Sequence, residues 1–430
     1  MATRAETPQA ITYWPVELLL RHRLTKGSIL RGRLGRQSYV YLLGARANAL
    51  IFAHDAWFSV GEAYAGLIPV DGPTSVVVSD GADHTRRRGV LRPILAPRQI
   101  RTYLSAISES AIEAVQQIRP REPFDAYQLF RRAIRRSTLR ALFGPNMATD
   151  AEWLGERLQP LLDLVDGVPQ LVALEERRNS KTWKAAMAAR SELDGYIYQQ
   201  IAAARAGAGD PESVLFHLVG DGPEGCLSDL EVRDQAVTLI AAGYETTSAA
   251  MGWAVHNLAT HPEWQGRARD EVDDVLGDGA IQDAGQLRAL PTVSAIIAET
   301  LRLYPPATIA ARRVEQDFAF DGRHVQVGDT VIFSPYVTHR DPALYPHPRE
   351  FRPQRWLAGP SRPPEEYLPF GGGAHRCIGS HLATVELTVM LSQLVRRGGF
   401  ELVGNRPRAR GFAAMRPHGG VPIAFGADGQ

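Results

Sequence analysis

Cys377 sits where a thiol can do chemistry. It lies in Phe370-Gly371-Gly372-Gly373-Ala374-His375-Arg376-Cys377-Ile378-Gly379, behind a glycine-rich loop and just ahead of a helical pattern. Glycines let a backbone approach a flat ligand closely and permit positive φ. Amides near a helix N-terminus favour a thiolate over a thiol. The combination suits metal ligation. No second cysteine at zinc spacing and no Cys-His pair at that spacing accompanies it, which argues against zinc. An inert buried cysteine is the ordinary reading of a single Cys, and the surrounding pattern makes that reading a poor one here.

Three more groups stand out. Ala242-Gly243-Tyr244-Glu245-Thr246-Thr247 puts an acid and two hydroxyls beside a glycine, between the apolar runs 237–242 and 249–255. Glycine costs a helix about 1 kcal/mol against alanine, and threonine can bond back to the i−4 carbonyl. The apolar flanks make a solvated polar patch a poor explanation. Glu299 and Arg302 are spaced to pair on one helix face, worth tenths of a kcal/mol when exposed. Glu175 and Arg178 share that spacing, so the pair alone is weak. His84 and Arg88 lie one helical turn apart and can face one carboxylate. Arg86 and Arg87 between them read as a solvated basic face.

The elements that must position these residues are mostly helices. Residues 28–34 and 38–43 read as two short strands with a Gly-rich turn. Residues 64–83, rich in Gly, Pro and Ser, read mainly as a long loop, a feature uncommon in compact domains unless functional. Residues 84–205 are mostly helical, and 206–227 read as loop. Ser228-Asp229-Leu230-Glu231 is a capping box, and no proline follows until Pro262. That allows a helix of roughly 30 residues, ~45 Å long. A further helix spans 292–304. Strand-like pieces follow at 318–320, 324–327 and 330–333, then a coil-rich stretch over 336–370. A last helix over 379–396 places Leu382, Val385, Met390, Leu391 and Leu394 on one face. The chain reads as β-poor at both ends: a large, mainly α fold with small β-sheets, not alternating βαβ.

Composition bounds the function. Among 430 residues, 48 Lys plus Arg oppose 47 Asp plus Glu, a formal net charge of +1. That balance gives no reason to expect nucleic acid or an anionic membrane as partner. Lysine occurs only at positions 26, 181 and 184; the arginine excess reads as the mark of a GC-rich bacterial genome. With 44% hydrophobic and 22% charged residues the chain is globular. Two cysteines, Cys226 and Cys377, exclude a disulfide scaffold; Cys226 reads as a bystander. Residues 1–27 lack the apolar stretch of a secretory signal, and no segment reaches the ~18–20 apolar residues of a membrane span. The expectation is a cytoplasmic protein with no membrane insertion.

Phe-x-x-Gly-x-His-x-Cys-x-Gly at 370–379 resembles the haem-binding loop of the cytochrome P450 family, and the resemblance extends over nearly the whole chain. It implies a P450 fold, a triangular helical prism with a long central helix over haem, as one domain over 1–430 with no fused reductase and no membrane anchor. It implies haem b (iron protoporphyrin IX), with Cys377 as the thiolate ligand that favours O–O cleavage. Phe370, Gly379 and Ala242 then contact the haem. His84, Arg88, Arg312 and His375 contact its propionates, with Arg313 competing with Arg312. Glu245 and Thr246, a better match than Thr247, become the acid–alcohol pair that relays protons to bound O2, with local helix distortion making room. Glu299, Arg302 and Arg355 form a structural network. Gln354 replaces the acid usual there, with little consequence expected.

The implied activity is a monooxygenase acting on a largely apolar organic substrate: a lipid, terpenoid, steroid or polyketide of secondary metabolism. A ferredoxin and its reductase are the expected electron donors, docking on arginines such as Arg376 and Arg92. The substrate walls are expected at 64–75, around 161–171, on the long helix near Ala241, and at 307–309 and 412–415. Alternatives are a peroxygenase, an atypical enzyme that couples or rearranges without oxygen insertion, and a sensing protein that never turns over. The Glu245-Thr246 pair argues against the peroxygenase and the sensor.

Overall fold

Ser228 starts the longest helix. Its hydroxyl accepts from the Glu231 amide, and the Glu231 carboxylate takes the Ser228 amide in return, completing the expected capping box. Asp229–Ala259 then runs 31 residues and is buried on almost every side beyond its first turn. The distortion expected near Gly243 is absent. Thr246 and Thr247 donate to the carbonyls of Ala242 and Gly243 at 2.8 and 2.9 Å. Each carbonyl has a second lone pair to give, so the helix continues unbroken.

These observations come from a computed structural model that describes residues 9–167, 169–208, 210–220, 227–277, 279–358, 361–412 and 414–426. Cys226 lies outside the described residues.

Ala126–Phe143, Pro291–Leu303 and Ser380–Val395 pack around the long helix. The last of these does not bury a single face: Val385 to Val395 is buried throughout, because helices enclose it on several sides. The segment expected as a loop over 64–83 is instead a series of short turns, Gly61–Tyr64, Ala65–Leu67, Ile68–Asp71 and Val76–Val78, leading into the helix Gly81–Ile94. The 206–227 stretch likewise holds a short helix, Val214–Val219, capped by the Ser213 hydroxyl.

The strands at 29–34, 37–42, 318–320, 323–325 and 330–333 fall where expected. The C-terminal end is richer in β than expected: Phe400–Leu402, Arg408–Arg410, Arg416–His418 and Pro422–Phe425 are all strands. The main sheet orders Ile29–Leu34, Gln37–Leu42, Thr330–Phe333, Ala310–Val314 and Phe58–Ser59. One pairing, Gln37–Leu42 with Thr330–Phe333, is parallel; the rest are antiparallel. Ala310–Val314, unforeseen in the sequence, sets Arg312 opposite Val331 and so points its neighbours Arg312 and Arg313 to opposite faces.

Candidate active site

A cavity of about 390 Å³ opens between the long helix and the Phe370–Gly379 loop. Ala242, Gly243 and Thr246 line it from the helix; Phe370, His375, Cys377 and Gly379 line it from the loop. The loop is shaped by its own backbone. The Cys377 amide donates to the Phe370 carbonyl at 2.9 Å, and Gly371 and Gly373 take φ of 68° and 69°. The close approaches that require glycine are made to protein. A Cβ on Gly372 would lie 2.4 Å from the Phe52 ring, and one on Gly373 2.7 Å from Asp55. Asp55 also accepts from the Ala374 amide at 2.7 Å. Phe52 and Asp55 thus brace the loop from behind, a role with no signature in the sequence.

The Cys377 thiol is exposed to the cavity, with protein packed densely around it. Burial raises its pKa, against a hydrogen bond from the Gly379 backbone and the charges of Arg88 and Arg376. Burial thus works against the helix-end amides in the bare side chain. A thiol in this setting gives up its proton to solvent when a metal ligates the sulfur.

The cavity edge is cationic. Arg88 donates to the Arg376 carbonyl at 2.6 Å. The rings of His84 and His375 stack at 3.9 Å. Burial, then Arg88, lowers the pKa of His84. Burial, then His84 and Arg312, brings His375 down to about 3. Arg312 is 6% exposed; Tyr64 bonds it, and Asp55 and Asp80 act on it only from a distance. Arg313 turns away to Glu62 and the Thr330 hydroxyl, so Arg312 is the residue at the cavity. A buried guanidinium with no carboxylate in contact among the described residues calls for an anionic ligand. Arg86 and Arg87 are not a solvated face: both bond Glu231, anchoring the Gly81–Ile94 helix to the long helix.

Glu245 and Thr246 diverge. Thr246 opens onto the cavity. Glu245 is 8% exposed and does not line it; Oε2 accepts from Arg131 at 2.9 and 3.1 Å, and Oε1 lies 3.7 Å from Arg416. The acid is thus held beside the cavity as a doubly paired carboxylate.

A second acid escaped the sequence reading. Glu386 lines the cavity from the last helix, 1% exposed, and accepts from the Ser137 and Thr138 hydroxyls at 2.9 and 3.1 Å. Burial pushes it up to about 8, against those two bonds, so it carries a proton at neutral pH. The signal was an acid amid an apolar helical run. A raised folded-state pKa means its stabilisation is complete below the unfolded value, about 4.3, and is lost as pH rises through about 8. Glu386→Gln, isosteric with the neutral acid, is expected to weaken the fall in melting temperature between pH 5 and pH 8. An unchanged slope in that variant would contradict a protonated Glu386.

The Glu299 network forms as expected and is deeper than an exposed i,i+3 pair. Glu299 and Arg302 are fully buried, bonded at 2.8 Å through both oxygens. Arg355, the Trp356 indole and the Arg352 amide complete the shell at 3.0, 2.8 and 2.9 Å. Gln354 is exposed, so it takes no part.

The expected walls are only partly present. Of the ranges 64–75 and 307–309, Tyr64 and Ala307 line the cavity, joined by their near neighbours Val76, Val77 and Pro306. No residue of 161–171 or 412–415 does, among those described; Val168 and Ala413 lie outside them. Leu161 and Leu164 are core, the Phe412 amide caps Asp166, and the Met415 carbonyl accepts from Trp253. The long helix lines the cavity near Ala241 as expected, through Thr238, Leu239 and Ala242, with Ala241 itself buried.

The cytochrome P450 family model matches residues 16–412. This chain belongs to the cytochrome P450 family. As a P450 it is an oxidoreductase of the haem-thiolate type, and its residues fit that group: one accessible thiol, a slot beneath the long helix, and a buried arginine needing an anion. The chain is 44% identical over 416 residues to cytochrome P450 139 of Mycobacterium tuberculosis (strain ATCC 25618 / H37Rv), covering 95% of this chain and 96% of that one. Cyclooctatin synthase of Streptomyces melanosporofaciens is 33% identical over 332 residues, covering 75% and 72%. Cyclooctat-9-en-7-ol 5-monooxygenase of the same organism is 30% identical over 335 residues, covering 75% and 72%. Retinoic acid-bound cyanobacterial CYP120A1 shares the fold, with a TM-score of 0.83 at 24% identity over 94% of this chain and 92% of that one. Among the described residues no helix of this P450 is long and apolar enough to cross a membrane.

Proposed function

We propose that this P450 is a cytoplasmic monooxygenase of secondary metabolism that inserts one atom of O2 into an apolar terpenoid- or polyketide-like substrate. It acts as one catalytic domain fed by a separate ferredoxin and ferredoxin reductase. The observation that carries the reading is one cavity receiving both the Cys377 thiol and the Thr246 hydroxyl, with Val60, Val76, Val77, Leu239, Ala307 and Ala310 around them. Apolar walls with few polar groups select an apolar ligand. Two related P450s named for cyclooctatin chemistry support the terpenoid class. Bound haem would supply oxygen activation. The type proposed is haem b, because covalent attachment uses Cys-x-x-Cys-His, which this sequence lacks.

In this reading Cys377 holds the iron, and Arg88, Arg312, His84 and His375 hold the carboxylates, with the two histidines as neutral hydrogen-bonding rings. Ala242, Phe370 and Gly379 flank the macrocycle. Thr246 holds a proton at the cavity, and Glu245, kept in place by Arg131 and Arg416, replenishes it from outside. Thr246→Ala is expected to lower product formation on the order of 100-fold, while NAD(P)H consumption continues and hydrogen peroxide accumulates. Unchanged coupling of NAD(P)H to product would sink the proton-holding role.

Arg92, Arg98, Arg101 and Arg376 are exposed and make no ion pair among the described residues. Arg376 adjoins Cys377, and Arg101 acts on His381 just beyond it. This basic rim on the cysteine side suits an acidic electron donor. Reversing Arg92 and Arg101 together to glutamate is expected to slow reduction by ferredoxin at least about tenfold at low salt, leaving the ferrous–CO spectrum intact. Equal reduction rates at every ionic strength would remove this face as the docking site.

A further inference from the structure

The cavity roof is tied to the long helix by polar groups that the oxygen chemistry does not use. Both the amide and the hydroxyl of Thr74 donate to Asp234 Oδ2, at 2.8 and 2.7 Å. Gln235 accepts from the Val76 amide at 2.9 Å and donates to the Thr74 carbonyl at 2.7 Å. The Thr238 hydroxyl donates to Ser75 at 2.8 Å. Gly72 has φ +86°, and a Cβ there would lie 2.0 Å from Asp234 Oδ1, so the backbone rests directly on the carboxylate. Tyr64, Val76 and Val77 of the same segment line the cavity. Whatever holds residues 72–76 sets the position of the roof.

Asp71 adjoins this seam, 8% exposed. From the long helix Arg233 and Asp234 act on it, and both are buried. Arg233 donates to Asp194 at 2.7 Å and to Asp234 at 2.9 Å. Asp194, on the helix Lys181–Arg205, is also 3.5 Å from Arg190, and Tyr198 of that helix is acted on by Arg233, Asp194, Asp234 and Asp229. The Ala151–Val165 helix also packs on the turn and adds no charged group acting on Asp71 among the described residues. Arg233, the cation that acts on Asp71, is already shared by Asp194 and Asp234. Ionising Asp71 adds another carboxylate charge beside them, in a site with little water to screen it.

We propose that Asp71 is a proton-operated latch: while neutral it lets residues 64–78 sit down on the long helix, and its ionisation favours release of that segment from the cavity. Burial pushes Asp71 up to about 7, with Arg233 pulling against it and Asp234 adding to it. In the released segment the carboxyl returns to its value in water, about 3.9. The closed roof therefore binds the proton more tightly than the open one. Its advantage is complete below about pH 4, shrinks as pH rises to about 7, and is constant above. Release uncovers the wall made by Val76 and Val77, so access to the cavity follows pH whatever the substrate.

Hydrogen exchange of the holoenzyme's 64–78 amides, corrected for intrinsic exchange, reads the opening directly. Between pH 5 and pH 7 the opening constant is expected to rise by at least about tenfold, then level off. Asp71→Asn, which cannot titrate, is expected to show no step. A pH-independent opening in the wild type, or a step that survives in Asp71→Asn, overturns the latch. Should Asp71→Asn fail to fold, Asp234→Asn removes the neighbouring negative charge and is expected to move the step to lower pH; an unmoved step overturns it equally.

Discussion

Replacing Glu299 by alanine is expected to remove about 3–5 kcal/mol of stability. Glu299 is the anion shared by Arg302 and Arg355, and it also accepts from Trp356 and the Arg352 amide. Without it, a fully buried guanidinium keeps only the carbonyls of His339, Pro348 and Glu350. Those bonds satisfy donors but leave the charge unneutralised in a low-dielectric interior. Domains are stable by only about 5–15 kcal/mol, so little soluble holoprotein should accumulate at 37 °C. Glu299→Gln keeps the shape and loses the charge, and should recover only part of the deficit. Thermal and denaturant unfolding of both variants checks this. A melting temperature within about 2 °C of wild type in Glu299→Ala would show that the network is not a keystone of the fold.

The second large effect is at Cys377. Cys377→Ser is expected to fold, because the loop is held by the Phe370 carbonyl, Phe52 and Asp55 and not by the sulfur. It should lose thiolate ligation entirely, since a serine hydroxyl stays protonated where even the native thiol is pushed up by burial. Product formation is expected to vanish, and any haem retained should give a CO complex without the strong red shift of thiolate ligation. Circular dichroism matching wild type separates this result from misfolding. Retention of the red shift would assign the ligand to another residue.

The parts of the site that a local pattern carries were legible in the sequence. The Cys377 loop, the capping box at Ser228 and the Glu299–Arg302 spacing each lie within ten residues. The parts assembled from distant segments were not. Phe52 and Asp55 brace the cysteine loop from more than three hundred residues away, and Arg131 and Arg416 reach Glu245 from two other elements. Arg312 was separable from Arg313 only once a strand of alternating faces was seen at Ala310–Val314. That strand, Ala-Ala-Arg-Arg-Val, is too short and too basic to show alternation. The C-terminal strands are three and four residues long and hide for the same reason. The walls assigned to 161–171 and 412–415 failed because an apolar residue facing a cavity and one facing the core look alike in a sequence.

The central claim is that Cys377 ligates haem iron in this cavity. The most direct measurement is the absorption spectrum of the purified protein, reduced with dithionite and exposed to carbon monoxide. A strongly red-shifted Soret band is the predicted result. A band where histidine- or thiol-ligated haem absorbs, in properly folded protein, would contradict the thiolate assignment, and protein that takes up no haem when haem is supplied would contradict the site itself.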